Sequence, residues 1–424
     1  MLSSLAVIRG DAQLWTQLTP TTAITPTPRY NASGIYDESG NNLVIFGGRN
    51  SSGNLNEVWS FNLDTLVWVN ITPTDTNQPA KRFAHTAVYD RPSRRMIIWS
   101  GQGNGFYNDL WAFDLSSHIW QQMMPGGVLP NPRYGSAAIY EPINRRMLIF
   151  SGFTDVGRYG DTRAYDIDSD AWIDFTSTGM NPLARCLHTA SYDSVRKRMI
   201  IYGGQRTGPL DDIWAFDLAS KAWMNLTTAT RPLGRIFPSS VYADDKILVF
   251  GGQTIIGSVN ELWSFGLSDT AWTLLSPSGV IPDRRNSHTV IYVAQQHAMI
   301  VFGGIGDSVY NDVWKLSDIP TEVGELNTTP EAFHLYQNYP NPFNPTTIVR
   351  YQLPIESRVS IRIYDLRGEL VITLVDEEQQ AGYRSVEFNA SNLPSGVYFY
   401  RLEASSTTYP MKIFSQVKKI LLVK

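Results

Sequence analysis

A period of about 51 residues, repeated six times, constrains this chain more than any other feature. An arginine recurs at Arg29, Arg82, Arg133, Arg185, Arg235 and Arg285, at spacings of 53, 51, 52, 50 and 50 residues. After each arginine an apolar run ends on a small residue and a glycine: "LVIFGG" (43–48), "MIIWSG" (96–101), "MLIFSG" (147–152), "MIIYGG" (199–204), "ILVFGG" (247–252) and "MIVFGG" (299–304). An acid then stands two residues before a tryptophan, at Glu57 and Trp59, Asp109 and Trp111, Asp212 and Trp214, Glu261 and Trp263, Asp312 and Trp314. The third repeat keeps the acid, Asp161, but has Arg163 in place of the tryptophan. A second tryptophan follows at Trp68, Trp120, Trp172, Trp223 and Trp272. Self-similarity at a fixed period of this length means one supersecondary unit used again and again.

Each unit holds four short β-type runs. The first follows the arginine, as in "RFAHTAVYD". The second is the apolar run, hydrophobic on both faces and so expected between neighbouring sheets. The third is of the "DLWAFD" type, and the fourth carries the second tryptophan. Four strands per period of 40–50 residues predict an all-β propeller. Six arginines and six small-Gly pairs predict six blades. After Trp314 the chain reads "KLSDIPTEVGEL", with no second tryptophan. The missing strand stands at the other end: "LWTQLTP" (14–20) is a near-copy of "VWVNITP" (67–73), and Trp15 precedes Trp68 by one period, 53 residues. The N-terminal strand is therefore expected to be the outer strand of blade six, closing the ring and removing its free edges.

The pattern of arginine, Gly-Gly, acid-x-Trp and second Trp resembles the kelch repeat family, over residues 12–317. The resemblance implies a six-bladed kelch propeller, some of whose arginines, Arg82, Arg185 and Arg285 among them, reach an anionic ligand at the channel mouth. Pairing of each arginine with the recurrent acid of its own blade is the simpler reading.

The segment 318–332 is polar and reads as a linker behind an N-terminal stub (1–11) and the propeller (12–317). Residues 333–424 form a second domain. It opens on "LYQNYPNPFNPTTIVRYQLP", whose Pro340, Pro342 and Pro345 exclude helix. Alternating strands follow, with Val359, Ile361 and Ile363 on one face and Gly368 and Gly396 in turns, which predicts a small Ig-like antiparallel β-sandwich. This stretch resembles the type A C-terminal sorting domain of the type IX secretion system. The resemblance rests on "NYPNPFNPTT" (Asn338, Pro340, Asn341, Pro342, Phe343, Asn344, Pro345), "IYDLRGELV", "AGYRSVEFNA", "SGVYFYRLEA" and the final Lys419–Lys424 stretch. It implies outer-membrane translocation machinery as a partner, and a secreted or surface location in a Gram-negative, Bacteroidetes-like cell. The start, "MLSSLAVIRG", lacks a basic n-region, so an upstream export signal or a processed start is expected.

Composition excludes little else. Net charge is −4, too small to point to nucleic acid or an anionic membrane, and no apolar run is long enough to span a bilayer. The lone Cys186 forbids an internal disulfide. His85, His188 and His288 share one repeat slot and read as structural. No motif for a metal, a cofactor or a catalytic nucleophile stands in context, so none is assigned. What breaks the repeat is more informative. The hairpins between first and second strands are basic in three consecutive blades: Arg94 and Arg95, Arg145 and Arg146, Arg196, Lys197 and Arg198. That is expected to form a positive sector attractive to an acidic polysaccharide. On the opposite face, the loops after the glycine pairs carry Phe106, Tyr107, Arg158, Tyr159, Arg206 and Tyr310, a surface suited to sugar or peptide. The expected function is a monomeric, non-catalytic module binding a glycan or protein. The alternative is a propeller enzyme acting on carbohydrate, of oxidase or epimerase type.

Overall fold

The computed structural model describes residues 13–317, 319, 333–338, 341–406 and 413–423. The N-terminal stub, all but Ile319 of the linker, Pro340 and Lys424 lie outside the described residues. The chain divides into two compact units between Glu322 and Val323.

In the first unit, six sheets built on four antiparallel strands follow one another around a closed ring, two of them with a short parallel fifth strand, Gly126–Gly127 and Ser278–Gly279. Blade 2 is typical, with strands Thr86–Asp90, Arg95–Trp99, Leu110–Asp114 and Ile119–Met123 from the axis outward. Burial follows sequence pattern. The inner strand alternates, the second is buried on both faces, and the outer strand buries its tryptophan alone. The sixth sheet is completed from the other end of the chain: Leu14–Leu18 pairs antiparallel with Val309–Ser317, placing Gln17 opposite Trp314. Each outer-strand tryptophan packs against the aromatic residue that precedes the small-Gly pair of the preceding blade. Trp68 meets Phe302, Trp120 meets Phe46, Trp172 meets Trp99, Trp223 meets Phe150, Trp272 meets Tyr202, and Trp15 meets Phe250, with ring centroids 4.7–5.4 Å apart. Trp15 thus makes the contact its five equivalents make.

Two cycles of backbone hydrogen bonds join the blades near the axis. In one, the second residue of each small-Gly pair donates its N–H to the carbonyl of the next blade's repeat arginine, ending with Gly304 to Arg29 at 2.9 Å. In the other, six residues two positions after those arginines hand a bond around the ring: Ala84 to Asn31, Gly135 to Ala84, Leu187 to Gly135, Phe237 to Leu187, Ser287 to Phe237 and Asn31 to Ser287, at 2.7–3.2 Å. All six are left-handed, with φ between 49° and 68°, and five are not glycine. Their backbone strain is held by bonds that only a closed ring supplies. The glycine pairs answer to close approach: a Cβ on Gly251 would lie 2.5 Å from the Arg285 carbonyl oxygen.

The second unit is a sandwich of a three-stranded sheet (His334–Leu335, Thr346–Leu353, Gly382–Asn389) and a four-stranded one in the spatial order Leu370–Gln379, Ser357–Tyr364, Gly396–Ser406, Ile413–Leu422. Val359, Ile361 and Ile363 are fully buried in its core with Tyr400 and Leu402. Gly368 sits in a turn with φ 80°, whereas Gly396 opens a strand rather than a turn.

Candidate functional site

The six repeat arginines form the wall of the ring. Each is at most 1% exposed and donates to the carbonyl of the first residue of its blade's small-Gly pair. Each also pairs with the acid of the same blade: Glu57, Asp109, Asp161, Asp212, Glu261 and Asp312, at 2.5–2.9 Å. The acid–Trp spacing follows from this. The indole N–H two residues on donates to the same carboxylate, 2.7–3.0 Å away. In blade 3, Arg163 Nε donates to Asp161 instead, so a guanidinium replaces the indole as donor. Arg82, Arg185 and Arg285 are thereby closed to a ligand, a correction to the reading that they reach the channel mouth. A buried guanidinium stays only where carboxylate and carbonyl partners compensate its lost hydration.

Three of the loop tyrosines serve these arginines. Tyr107 lies over Arg82 at 4.4 Å, Tyr159 over Arg133 at 3.9 Å and Tyr310 over Arg285 at 4.4 Å, each ring covering a guanidinium plane. Arg206 is exposed at a loop tip. Phe106 and Arg158 belong to a different assembly. Phe106 stacks on Tyr134 at 5.9 Å with the planes 18° apart, and Tyr134 meets Phe83 at 6.1 Å and Phe153 at 5.7 Å. Arg49 lies over Phe83 at 5.3 Å, and Arg158 over Phe153 at 5.1 Å while its Nε donates to the Gln205 carbonyl. The result is a half-buried aromatic floor flanked by two guanidinium groups, on the face formed by the second-to-third-strand loops of blades 1–4. Arg49, Phe83, Tyr134 and Phe153 carry no motif of their own in the sequence. Their signal was positional: Phe83 and Tyr134 directly follow a repeat arginine, and Arg49 and Phe153 directly follow a small-Gly pair. The two slots bridge one another within each blade, as Tyr134 does with Phe153. Cys186 holds the same slot in blade 4; burial pushes its thiol above the ordinary range.

The basic hairpins do not make a free positive sector. Asp37, Asp90 and Asp193, at the ends of inner strands, are no more than 3% exposed and demand cations. Arg94 donates to Asp37, Arg95 and Arg145 to Asp90, Arg196 and Arg198 to Asp193. Arg145 also pairs with Asp168, Arg196 with Asp245, and Arg146 with Asp166. The hydrogen bond to Asp90 raises the Arg145 guanidinium further above its ordinary range. Of the seven cations, Lys197 alone is exposed without an acidic partner among the described residues. The positive field expected there is cancelled by acids of the same blade and of the neighbouring blades.

His85, His188 and His288 pack edge-on against Phe46, Phe150 and Phe250 of the preceding blade. They also line a central cavity of about 120 Å³. Burial lowers the His188 and His288 pKa to about 3, and the neighbouring repeat arginines act in the same direction. Among the described residues no three His, Cys, Asp or Glu side chains are placed to share a metal ion.

In the second unit the sorting-signal residues hold the last strand. Phe343 is 2% exposed, and its N–H donates to the Leu421 carbonyl while Val423 donates back to the Phe343 carbonyl. Asn341 Oδ1 accepts from the Leu421 N–H, and its Nδ2 donates to the Lys419 carbonyl. Asn338 is buried, with its N–H on the Tyr400 hydroxyl and its amide on Thr347. Pro342, Asn344 and Pro345 are exposed around Phe343.

Comparison with known proteins accords with both units. The family described as the KLHDC2/KLHL20/DRC7 Kelch-repeats domain matches residues 1–191 and 174–323, and the Secretion system C-terminal sorting domain matches residues 337–416. The chain is 26% identical over 268 residues to Host cell factor homolog hcf-1 of Caenorhabditis elegans, covering 56% of this chain and 33% of that protein. It is 27% identical over 264 residues to the Leucine-zipper-like transcriptional regulator 1 homolog of Drosophila melanogaster (58% of this chain, 26% of that one). It is 25% identical over 246 residues to human Kelch domain-containing protein 1 (50% and 59%). The chain thus spans between about a quarter and three fifths of the length of these relatives. It belongs to the kelch-repeat family and carries a type IX secretion C-terminal sorting domain that directs it to the cell surface or beyond.

Proposed function

We propose that the exported propeller is a binding module whose ligand is a protein segment carrying apolar or aromatic side chains beside acidic ones. The observation that carries this reading is the floor of Phe83, Phe106, Tyr134 and Phe153 with the Arg49 and Arg158 guanidinium groups at its edges. Flat aromatic surface supplies contact area at small entropic cost, and flanking guanidinium groups take carboxylates in bidentate fashion. A second reading, a glycan ligand, is favoured by one feature: the near-parallel Phe106–Tyr134 pair offers a platform on which a sugar ring can stack. The protein acts as a monomer, outside a Gram-negative, Bacteroidetes-like cell.

Parallel peptide and glycan arrays test this. Binding to acidic, aromatic-rich peptides that is lost in a Phe106→Ala, Arg158→Ala double variant of unchanged thermal stability supports the peptide reading. Glycan binding lost in the same variant supports the second reading. Binding of either class that the variant leaves intact refutes the floor as the site. The export role is tested separately: removal of residues 333–424 is expected to leave the propeller in the periplasm of a competent host.

A further inference from the structure

The two repeats that carry glutamate instead of aspartate differ in how the carboxylate is used. Asp109, Asp161, Asp212 and Asp312 receive the repeat arginine through both oxygens. Glu57 and Glu261 receive arginine and indole through Oε2 alone, leaving Oε1 with no hydrogen bond from the described residues. Their side chains are correspondingly more open, 36% and 39% exposed against 17–24% for the aspartates. The chain answers this at Glu57, where the charge of Lys81 acts on the carboxylate in addition to Arg29. Among the described residues, Arg235 is the one cation that acts on Glu261.

Glu261 instead lines a cavity of about 200 Å³ between the outer strands of blades 5 and 6. Trp15, Leu262, Leu274, Pro277 and Ile281 supply its apolar walls, and none of the described residues lining it is cationic. Burial works against ionisation of Glu261, but the hydrogen bonds from Trp263 and Arg235 outweigh it and hold the carboxyl below its ordinary range. The carboxylate is therefore charged at neutral pH, with one oxygen unused beside an apolar wall.

We propose that this cavity is a binding site for a cationic side chain, a lysine or arginine presented by a protein ligand. The alkyl stem lies along Trp15, Leu274 and Ile281, and the charged head reaches Glu261 Oε1. The volume suits a single side chain rather than a whole small molecule, whose sites are usually ~300 Å³ or more. The site shares no residue with the aromatic floor, and its assignment stands independently of the function proposed for that floor.

The Trp263 indole N–H, which donates to Glu261 Oε2 at 2.9 Å, is a built-in reporter. Trp214, on the bidentately filled Asp212, is the internal control. The full-length protein, labelled with 15N-tryptophan, is titrated with three capped tripeptides, acetyl-Gly-Lys-Gly-amide, acetyl-Gly-Arg-Gly-amide and the neutral norleucine equivalent, with NMR as readout. The expected result is a saturable Trp263 shift with the cationic peptides, at least about tenfold tighter than with norleucine, and a still Trp214. Glu261→Gln should abolish that preference. Leu274→Arg, at an exposed position, should block binding by placing a tethered guanidinium at the rim, and keeps the test sharp should the glutamine variant not fold. Equal affinity for norleucine and lysine peptides, a Trp263 signal that does not move, or a preference surviving Glu261→Gln or Leu274→Arg would each overturn the assignment.

Discussion

Lowering the pH from 7.5 to 5 should cost the propeller several kcal/mol, and the loss should trace to three histidines. His85, His188 and His288 are 6–7% exposed, and burial depresses the pKa of each, to about 3 for His188 and His288. Above pH 6.5 folded and unfolded states are both neutral at these positions. Below it the unfolded chain binds protons that the folded chain refuses, so stability falls with falling pH. At pH 5 an unfolded histidine of pKa ~6.5 has gained about 2 kcal/mol, from 1.5 pH units at ~1.36 kcal/mol each. His188 and His288 together therefore contribute a loss of about 4 kcal/mol at pH 5, with His85 acting in the same direction. The folded-state carboxylates Glu57, Asp212, Asp245 and Glu261 are held below their ordinary ranges, so their losses begin only at lower pH and leave this window to the histidines. The assay is urea denaturation followed by tryptophan fluorescence. All twelve tryptophans lie in the first unit, so the signal reports the propeller alone. His188→Gln with His288→Gln should remove about 4 kcal/mol of the pH dependence, whatever it does to stability at pH 7.5. A wild-type stability that moves by less than about 1 kcal/mol between the two pH values, or a double variant with an undiminished slope, would refute the reasoning.

Three further outcomes are expected. Arg185→Ala, which strands the Asp212 carboxylate inside the wall, should lower stability by about 3–5 kcal/mol in the same urea assay, and Arg185→Lys should recover only part of that because a lysine cannot fill both oxygens. Gly251→Ala should cost about 2 kcal/mol or more, since φ is 63° there and the new Cβ meets the Arg285 carbonyl; a neutral result would mean the blade junction gives way easily. Trp15→Ala should cost about 3–5 kcal/mol, as much as Trp120→Ala, because both indoles fill the same place at a blade junction. A cost confined to Trp120→Ala would show that the N-terminal strand is not integral to blade 6.

Much of the architecture was legible in the residues because a repeat exposes its own rules. Six arginines predicted six units, and a tryptophan one period ahead of its series predicted a strand supplied from the far end of the chain. The buried arginine–acid pairs were legible too, since both partners recur at a constant offset. Loop function was less so. The six loop residues divide three ways: of those that break the repeat, Phe106 and Arg158 join the aromatic floor and Arg206 is exposed, while Tyr107, Tyr159 and Tyr310, which share one repeat slot, cover scaffold arginines.

By itself the sequence determined the unit, its number and its order, because strand alternation, glycine pairs and capping tryptophans are local patterns a linear reading can count. Charge compensation was decided partly inside each blade, where Arg95 lies five residues from Asp90 and Arg198 five from Asp193, and partly by the ring. Arg145 and Asp90 are 55 residues apart, and Arg196 and Asp245 are 49 apart, about one period in each case. Residues one period apart are distant along the chain and adjacent at a blade junction. A run of basic hairpins therefore looked like a free positive surface until the acids of its own and the neighbouring blades were set against it. The same geometry gathered Phe83 and Tyr134, 51 positions apart, into one floor. It also placed Trp15 and Glu261 on the walls of one cavity, where only the closed ring brings the strand Leu14–Leu18 to a carboxylate of blade 5.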